Sequence, residues 1–216
     1  QTLNIYVPEA FFNGQSINGY TSKTAPIFFP NSIGGYMPGA AQKPGGGMDR
    51  MHNTLLSALA RGYVVVAPGA RGRTLTDANG KFTGKAPAAI VDLKAAVRYV
   101  RFNRGFIPGN TDRIVSNGTS AGGAMSALLG ATGNSKDYAP FLKSLGAADA
   151  ADDIWAVSAY CPITNLENAD MAYEWLLSGV NESKRFGPGM PGGFPPGGGP
   201  GGPPPGMLGQ GNGNPF

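Results

Sequence analysis

Gly118-Thr119-Ser120-Ala121-Gly122 matches the pattern G-x-S-x-G, in which glycines frame a hydroxyl that can act as a nucleophile. Glycines two residues before and two after the serine let a strand and a helix approach each other without side-chain collision. The serine backbone between them is strained, which holds the hydroxyl at the open edge of a sheet. A helix opening at Ala121 points its positive dipole end and its free N–H groups at the oxyanion of an acyl-transfer reaction. The chemistry this predicts is nucleophilic attack by Ser120 on an acyl carbon. The competing reading is a glycine-rich strand-to-helix turn of the kind that binds phosphate. A dinucleotide turn, however, requires G-x-G-x-x-G at the first strand, and Ser120 lies well past it.

A second segment must supply the other oxyanion donor. After the run Ala25–Phe29, the loop Asn31-Ser32-Ile33-Gly34-Gly35-Tyr36 stands where serine esterases carry an H-G-G-G-type motif. The amide of Gly34 or Gly35, together with that of Ala121, would form the hole, because glycine lets backbone come close to a ligand oxygen. The same residues also read as a plain connecting turn.

These residues need a scaffold, and the rest of the sequence describes one. Leu3–Val7 and Ala25–Phe29 are short β-prone runs, the second stopped by Pro30 and a glycine turn. Met51, Leu55, Leu56 and Leu59 recur at helical spacing over Asp49–Arg61, and Gly62 ends that helix. Tyr63–Ala67 is continuously apolar, as suits a strand buried on both faces of a parallel sheet. A long helix opens near Pro87 with Ile90, Leu93, Val97 and Val100 on one stripe and with Arg98 and Arg101 off it. Arg113–Gly118 reads as a strand, Ala121–Leu129 as a helix of small residues, and Trp155–Tyr160 as a further strand. Alternating strand and helix predicts an α/β fold of the α/β-hydrolase type, a mostly parallel sheet with helices on both faces.

That fold makes the chain order of a catalytic triad informative. His52 is the only histidine, yet it precedes Ser120, whereas the base of this fold follows the nucleophile. His52 and Asp92 are therefore expected to be structural. Asp149, Asp152, Asp153 and Asp170 follow the serine, but the usual acid lies after a later strand than Trp155–Tyr160. Acid and base are expected outside this sequence, on the missing C-terminal strands.

Composition narrows the function classes. The 216 residues suffice for one domain with a core, and Gly and Pro crowd into the last thirty or so positions. The expected division is a hydrolase core over 1–186 and a flexible Pro/Gly-rich tail over 187–216. A net charge of +4 is spread along the chain without basic runs or interleaved aromatics, which argues against nucleic-acid binding. No apolar run approaches a membrane span. The lone Cys161 cannot form an internal disulfide. A start at Gln1 fits a removed secretion signal as well as an expression start, so a secreted or periplasmic location is the expectation.

Four segments, TAPIFFPNSIGGYMPG, GYVVVAPGARGRT, RIVSNGTSAGGAMSALLGATGN and AYCPITNLENADMAYEW, together resemble the bacterial tannase and feruloyl esterase group of α/β-hydrolases. They span residues 24–175. The GTSAGG core is widespread among esterases and some peptidases, whereas SALLGATGN and CPITNLENAD are more specific. The resemblance implies hydrolysis of galloyl- or feruloyl-type esters of hydroxylated aromatic acids without metal or cofactor. It puts Ser120 at the nucleophile position, with Gly34 and Ala121 at the oxyanion donors. In that group the acid and base lie beyond a lid inserted after the CPITNLENAD region, where this sequence turns Pro/Gly-rich. Phe216 is therefore expected to mark a break within the lid, and a companion chain is expected to carry the triad acid and histidine. Thr119, not cysteine, precedes Ser120, so the paired cysteines of fungal tannases are absent. Two other functions stay open: a hydrolase-like binding module with an unassisted serine, and a serine peptidase of the same fold.

Overall fold

The apolar run after Tyr63 forms β3 (Val64–Pro68), where Val64, Val65 and Val66 are wholly buried. Beside it, β2 (Pro26–Pro30) buries Ile27 and Phe29. Removing each such side chain from water stabilises the fold by about 1.5–3 kcal/mol. In this computed structural model the described residues are 2–45, 54–163, 167–168, 171–176 and 178–179. Contacts divide the chain into two compact units, Gln1–Thr164 and Asn165–Phe216. All the described strands belong to the first; the second contains a helix over Met171–Leu176. The expected tail, 187–216, lies outside the described residues.

Five strands form one sheet in the order β1-β3-β2-β4-β5, with β1 at Leu3–Tyr6, β4 at Asn110–Thr119 and β5 at Ala156–Tyr160. The pairs β3–β2, β2–β4 and β4–β5 are parallel, and β1 runs antiparallel to β3. The expected α/β-hydrolase sheet is thus present. Alternation of strand and helix carries no information about the direction of β1, because no crossover helix precedes it.

Helices cover both faces. A one-turn helix, α1 (Glu9–Phe12), follows β1. The described part of the next, α2 (Thr54–Ala60), packs Leu55 and Ala58 on Val65 and Ala67 of β3. Leu56, placed on the buried stripe by spacing, is 49% exposed. On the opposite face Val64 and Val66 meet α3 (Ala88–Phe102), whose Ile90, Leu93, Val97 and Val100 form the predicted stripe. This alternation is the period of two that a strand imposes on a two-sided core. A helix of small residues, α4 (Ala121–Ala131), lies on β4 and β5, and its composition allows a close approach. A Cβ at Gly130 would stand 2.4 Å from a methyl of Val157 on β5. A 3-10 turn over Lys136–Tyr138 and α5 (Ala139–Leu145) then lead toward β5.

The arginines outside the α3 stripe are engaged as well. Arg98 Nε and Lys94 Nζ each donate to Asp152, at 2.8 Å, just before β5. Arg101 donates to both the carbonyl and the carboxylate of Asp153. Asn134 closes the arrangement by exchanging hydrogen bonds with Asp152, amide to carboxylate and amide to side-chain carbonyl, both at 2.8 Å. These contacts fix the approach to β5, the strand beside the elbow.

Candidate active site

The turn between β4 and α4 consists of Ser120 alone, with φ 57° and ψ −121°. Positive φ is rare for a residue with a Cβ, and this backbone is the strain that the motif predicts. Two hydrogen bonds enforce it. Ser120 N–H donates to the Tyr160 carbonyl at the end of β5 at 3.0 Å, and its carbonyl accepts from Ala124 N–H at 2.9 Å. The residue is exposed, and its hydroxyl has no hydrogen-bond partner among the described residues.

Three glycines make the turn possible. A Cβ at Gly118 would fall 2.3 Å from the Gly122 carbonyl oxygen, and one at Gly122 would fall 2.8 Å from the Ile33 carbonyl oxygen. Gly123, outside the five-residue motif, is equally constrained, with its Cβ position 2.4 Å from the Tyr160 carbonyl oxygen. Sequence reading missed it, although a second consecutive glycine in a helix, where glycine costs about 1 kcal/mol, is a signal of close approach.

The Gly34–Gly35 loop lies against this turn, since Ile33 meets the first turn of α4 at Gly122. Gly34 and Gly35 are both exposed, and Gly34 has open space around it. Met37 N–H donates to the Gly34 carbonyl at 2.9 Å, closing a tight turn whose central residues, Gly35 and Tyr36, have φ of 54° and 58°. Successive left-handed residues mark a type I′ geometry, which accounts for a glycine at the first of them. Arg73 braces the turn from outside, its Nε donating to the Gly35 carbonyl at 3.0 Å and its N–H to that of Tyr36 at 2.8 Å. The Tyr36 hydroxyl is buried without a hydrogen-bond partner, and desolvation raises its pKa, which keeps the phenol neutral. Ala121 opens α4 and is buried, its amide among the N–H groups that a first helical turn leaves free.

The carboxylates weighed as triad acids stand elsewhere. Asp92 is buried and held by Arg71, whose guanidinium donates at 2.8 Å and whose own pKa is raised, chiefly by those hydrogen bonds. Asp152 is fully buried between Lys94 and Arg98. Burial works to raise its pKa, but the hydrogen bonds from Lys94, Arg98 and the Asn134 amide outweigh this and hold it below the ordinary value. Asp153 pairs with Arg101. Asp149, which is exposed, borders a cleft of about 870 Å³ between Pro68, Tyr99, Phe102 and Gly146, and no residue of the elbow forms its wall. His52 and Asp170 lie outside the described residues. Among the described residues no group of three or more His, Cys, Asp or Glu could hold a metal ion, and no helix is long and apolar enough to cross a membrane.

A strained serine between a parallel strand and a small-residue helix, with a glycine turn against that helix, defines an α/β-hydrolase. The chain belongs to the BD-FAE family, whose model matches residues 22–185. It is similar to the tannase of Fusobacterium nucleatum, with 64% identity over 86% of this chain and 40% of that one and a TM-score of 0.79. The tannin acyl hydrolase of Lactobacillus plantarum is 57% identical, over 88% of this chain and 42% of that one, with a TM-score of 0.81. A tannin acyl hydrolase in complex with ethyl gallate is 58% identical, over 84% and 40% of the two chains, with a TM-score of 0.78. The expected kinship with bacterial tannases is borne out. The chain spans about two fifths of the length of these proteins.

Proposed function

We propose that this chain carries the nucleophile of a serine carboxylic-ester hydrolase that cleaves esters of hydroxylated aromatic acids, galloyl esters foremost. The observation that carries the reading is the Ser120 backbone, a strained conformation that presents an unpartnered hydroxyl beside the free amides of α4. Ser120 Oγ attacks the ester carbonyl carbon while its proton passes to a histidine. The carbonyl oxygen, now an anion, is held by the amides of Ala121 and of Gly34 or Gly35. Collapse expels the alcohol, which takes the proton back from the histidine. Water then attacks the acyl-enzyme by the same route and releases the aromatic acid. The galloyl preference draws on the tannin acyl hydrolase that binds ethyl gallate.

The histidine and its acid come from polypeptide beyond the residues described, in the same or a companion chain. His52 precedes the nucleophile, Asp92, Asp152 and Asp153 are each committed to a cation, and Asp149 borders a cleft that no elbow residue lines. The test is turnover of a galloyl ester and of a peptide anilide by the esterase assembly containing this chain. Ester cleavage is expected, and Ser120→Ala should lower it about a million-fold, as loss of a triad nucleophile does. His52→Gln should leave most of it. Near-full activity in Ser120→Ala would overturn the assignment, and preferential anilide cleavage would favour a peptidase.

A further inference from the structure

We propose that Asn31 is a positioning residue that sets the spacing between the Gly34–Gly35 turn and the Ser120 elbow, and with it the geometry of the oxyanion hole. The inference rests on the ester-hydrolase reading above and deepens it.

Asn31 directly follows β2, and its backbone N–H extends the ladder by donating to the Asn117 carbonyl of β4 at 2.9 Å. Its side chain turns inward and is buried. Nδ2 has three acceptors within reach, the Asn117 carbonyl at 3.1 Å, the Gly122 carbonyl at 3.1 Å and Ser126 Oγ at 2.9 Å, and its two N–H groups are shared among them. Oδ1 accepts from the Ile33 N–H at 3.3 Å. Two carbonyls at one end and an N–H at the other leave a single workable orientation of the carboxamide. No other neutral side chain of this size both donates twice and accepts, and an aspartate would face those carbonyls with a negative charge.

The four partners belong to the three segments that an oxyanion hole must hold in register. Asn117 lies on the strand that ends at the nucleophile, Gly122 and Ser126 on the helix that begins with the Ala121 amide, and Ile33 immediately before Gly34. The glycines of the elbow motif face this side chain. A Cβ at Gly118 would come within 2.7 Å of Nδ2, and one at Gly122 within 2.6 Å of Oδ1. Those glycines thus also make room for the Asn31 carboxamide. An apolar residue could fill the space, but it would take the side-chain donor away from the Gly122 carbonyl and Ser126 Oγ and would not tie the loop to the helix. Donors drawn from separate segments stabilise the transition state only if their spacing is fixed in advance, and a displacement of about 1 Å can cost about a hundred-fold in rate.

The test uses the esterase assembly containing this chain, with competent sites counted by burst titration. In Asn31→Ala, kcat per titrated site should fall about a hundred-fold with KM little changed. Affinity for an arylboronic acid, whose tetrahedral adduct on Ser120 places an oxygen in the hole, should fall in parallel. Ser126→Ala removes one acceptor at nearly constant volume, and should lower kcat per site several-fold by the same route if Asn31→Ala does not fold. A lower Tm or fewer competent sites with kcat per site and boronate affinity unchanged would show a merely structural role and overturn the proposal alone. Ester turnover that survives Ser120→Ala would instead overturn the ester-hydrolase reading, and this inference with it.

Discussion

At Ser120 the strain that the elbow motif predicts is visible in the backbone. Its φ of 57° and ψ of −121° lie in a region that typically costs a side-chain-bearing residue about 1–3 kcal/mol. Ser120→Gly should therefore stabilise the protein by about 1 kcal/mol, after allowing for the extra chain entropy that glycine loses on folding. Urea denaturation monitored by tryptophan fluorescence measures this, and unchanged or lower stability would mean that the elbow is not strained. Much of this site is written in local spacing. G-x-S-x-G singles out Ser120 and Ala121, and the paired glycines after a β-prone run single out Gly34 and Gly35. The part played by Asn31 is not legible in that way. Its partners Asn117, Gly122 and Ser126 are remote in the chain, and no local period encodes a carboxamide that meets them. Arg73 is hidden for the same reason, because the turn it braces lies 38 residues earlier.

Among the elements, α3 and the approach to β5 are joined through one buried carboxylate, Asp152, whose side chain and that of Lys94 are both fully buried. Asp152→Asn removes the counter-charge and leaves Lys94 with the Thr132 carbonyl and the Tyr138 ring. The expected loss is about 3 kcal/mol at neutral pH, the low end for breaking a buried pair by removing one partner. The deficit should also depend on pH. In the unfolded chain an aspartate titrates near pH ~3.9. In the fold, the cations and the Asn134 amide hold Asp152 lower. Its contribution is thus complete above about pH 4–5 and is lost as pH falls toward the folded-state value, where the unfolded chain binds the extra proton. Denaturation of both proteins at a series of pH values should show the gap narrowing on acidification. A constant gap would contradict the role given to the charge. Elements with a strong period were legible, as with the apolar run of β3 and the stripe of α3. The seven-residue α5 was not, since so short a segment shows little periodicity, although Pro140 at its start and a left-handed Gly146 at its end were available signals. The arginines that spacing placed off the α3 stripe proved to face Asp152 and Asp153, because spacing separates apolar from polar positions but does not find partners for the latter.

At the scale of the whole sheet, β1 and β5 are the two edge strands among the described residues, and β5 is the edge beside the elbow. Among the described strands it pairs with β4 alone, and Trp155, Val157 and Tyr160 in and beside it are 61%, 40% and 59% exposed. Such an edge offers unpaired backbone groups and apolar side chains to a further strand. As part of the proposed function, we propose this edge as the place where the polypeptide that brings the acid and histidine would join. The elbow, the oxyanion turn and the Asn31 bracket would then form one wall of a site that the other polypeptide completes. The most direct test of that function is to find the acyl group. An esterase-active assembly is mixed with a galloyl ester, quenched in acid within one turnover and digested with trypsin, and the peptide Ile114–Lys136 is fragmented in a mass spectrometer. The predicted result is one galloyl group, placed by the fragments on Ser120 and absent from Ser120→Ala. Turnover with that peptide unmodified, or with the acyl group on another residue, would contradict it.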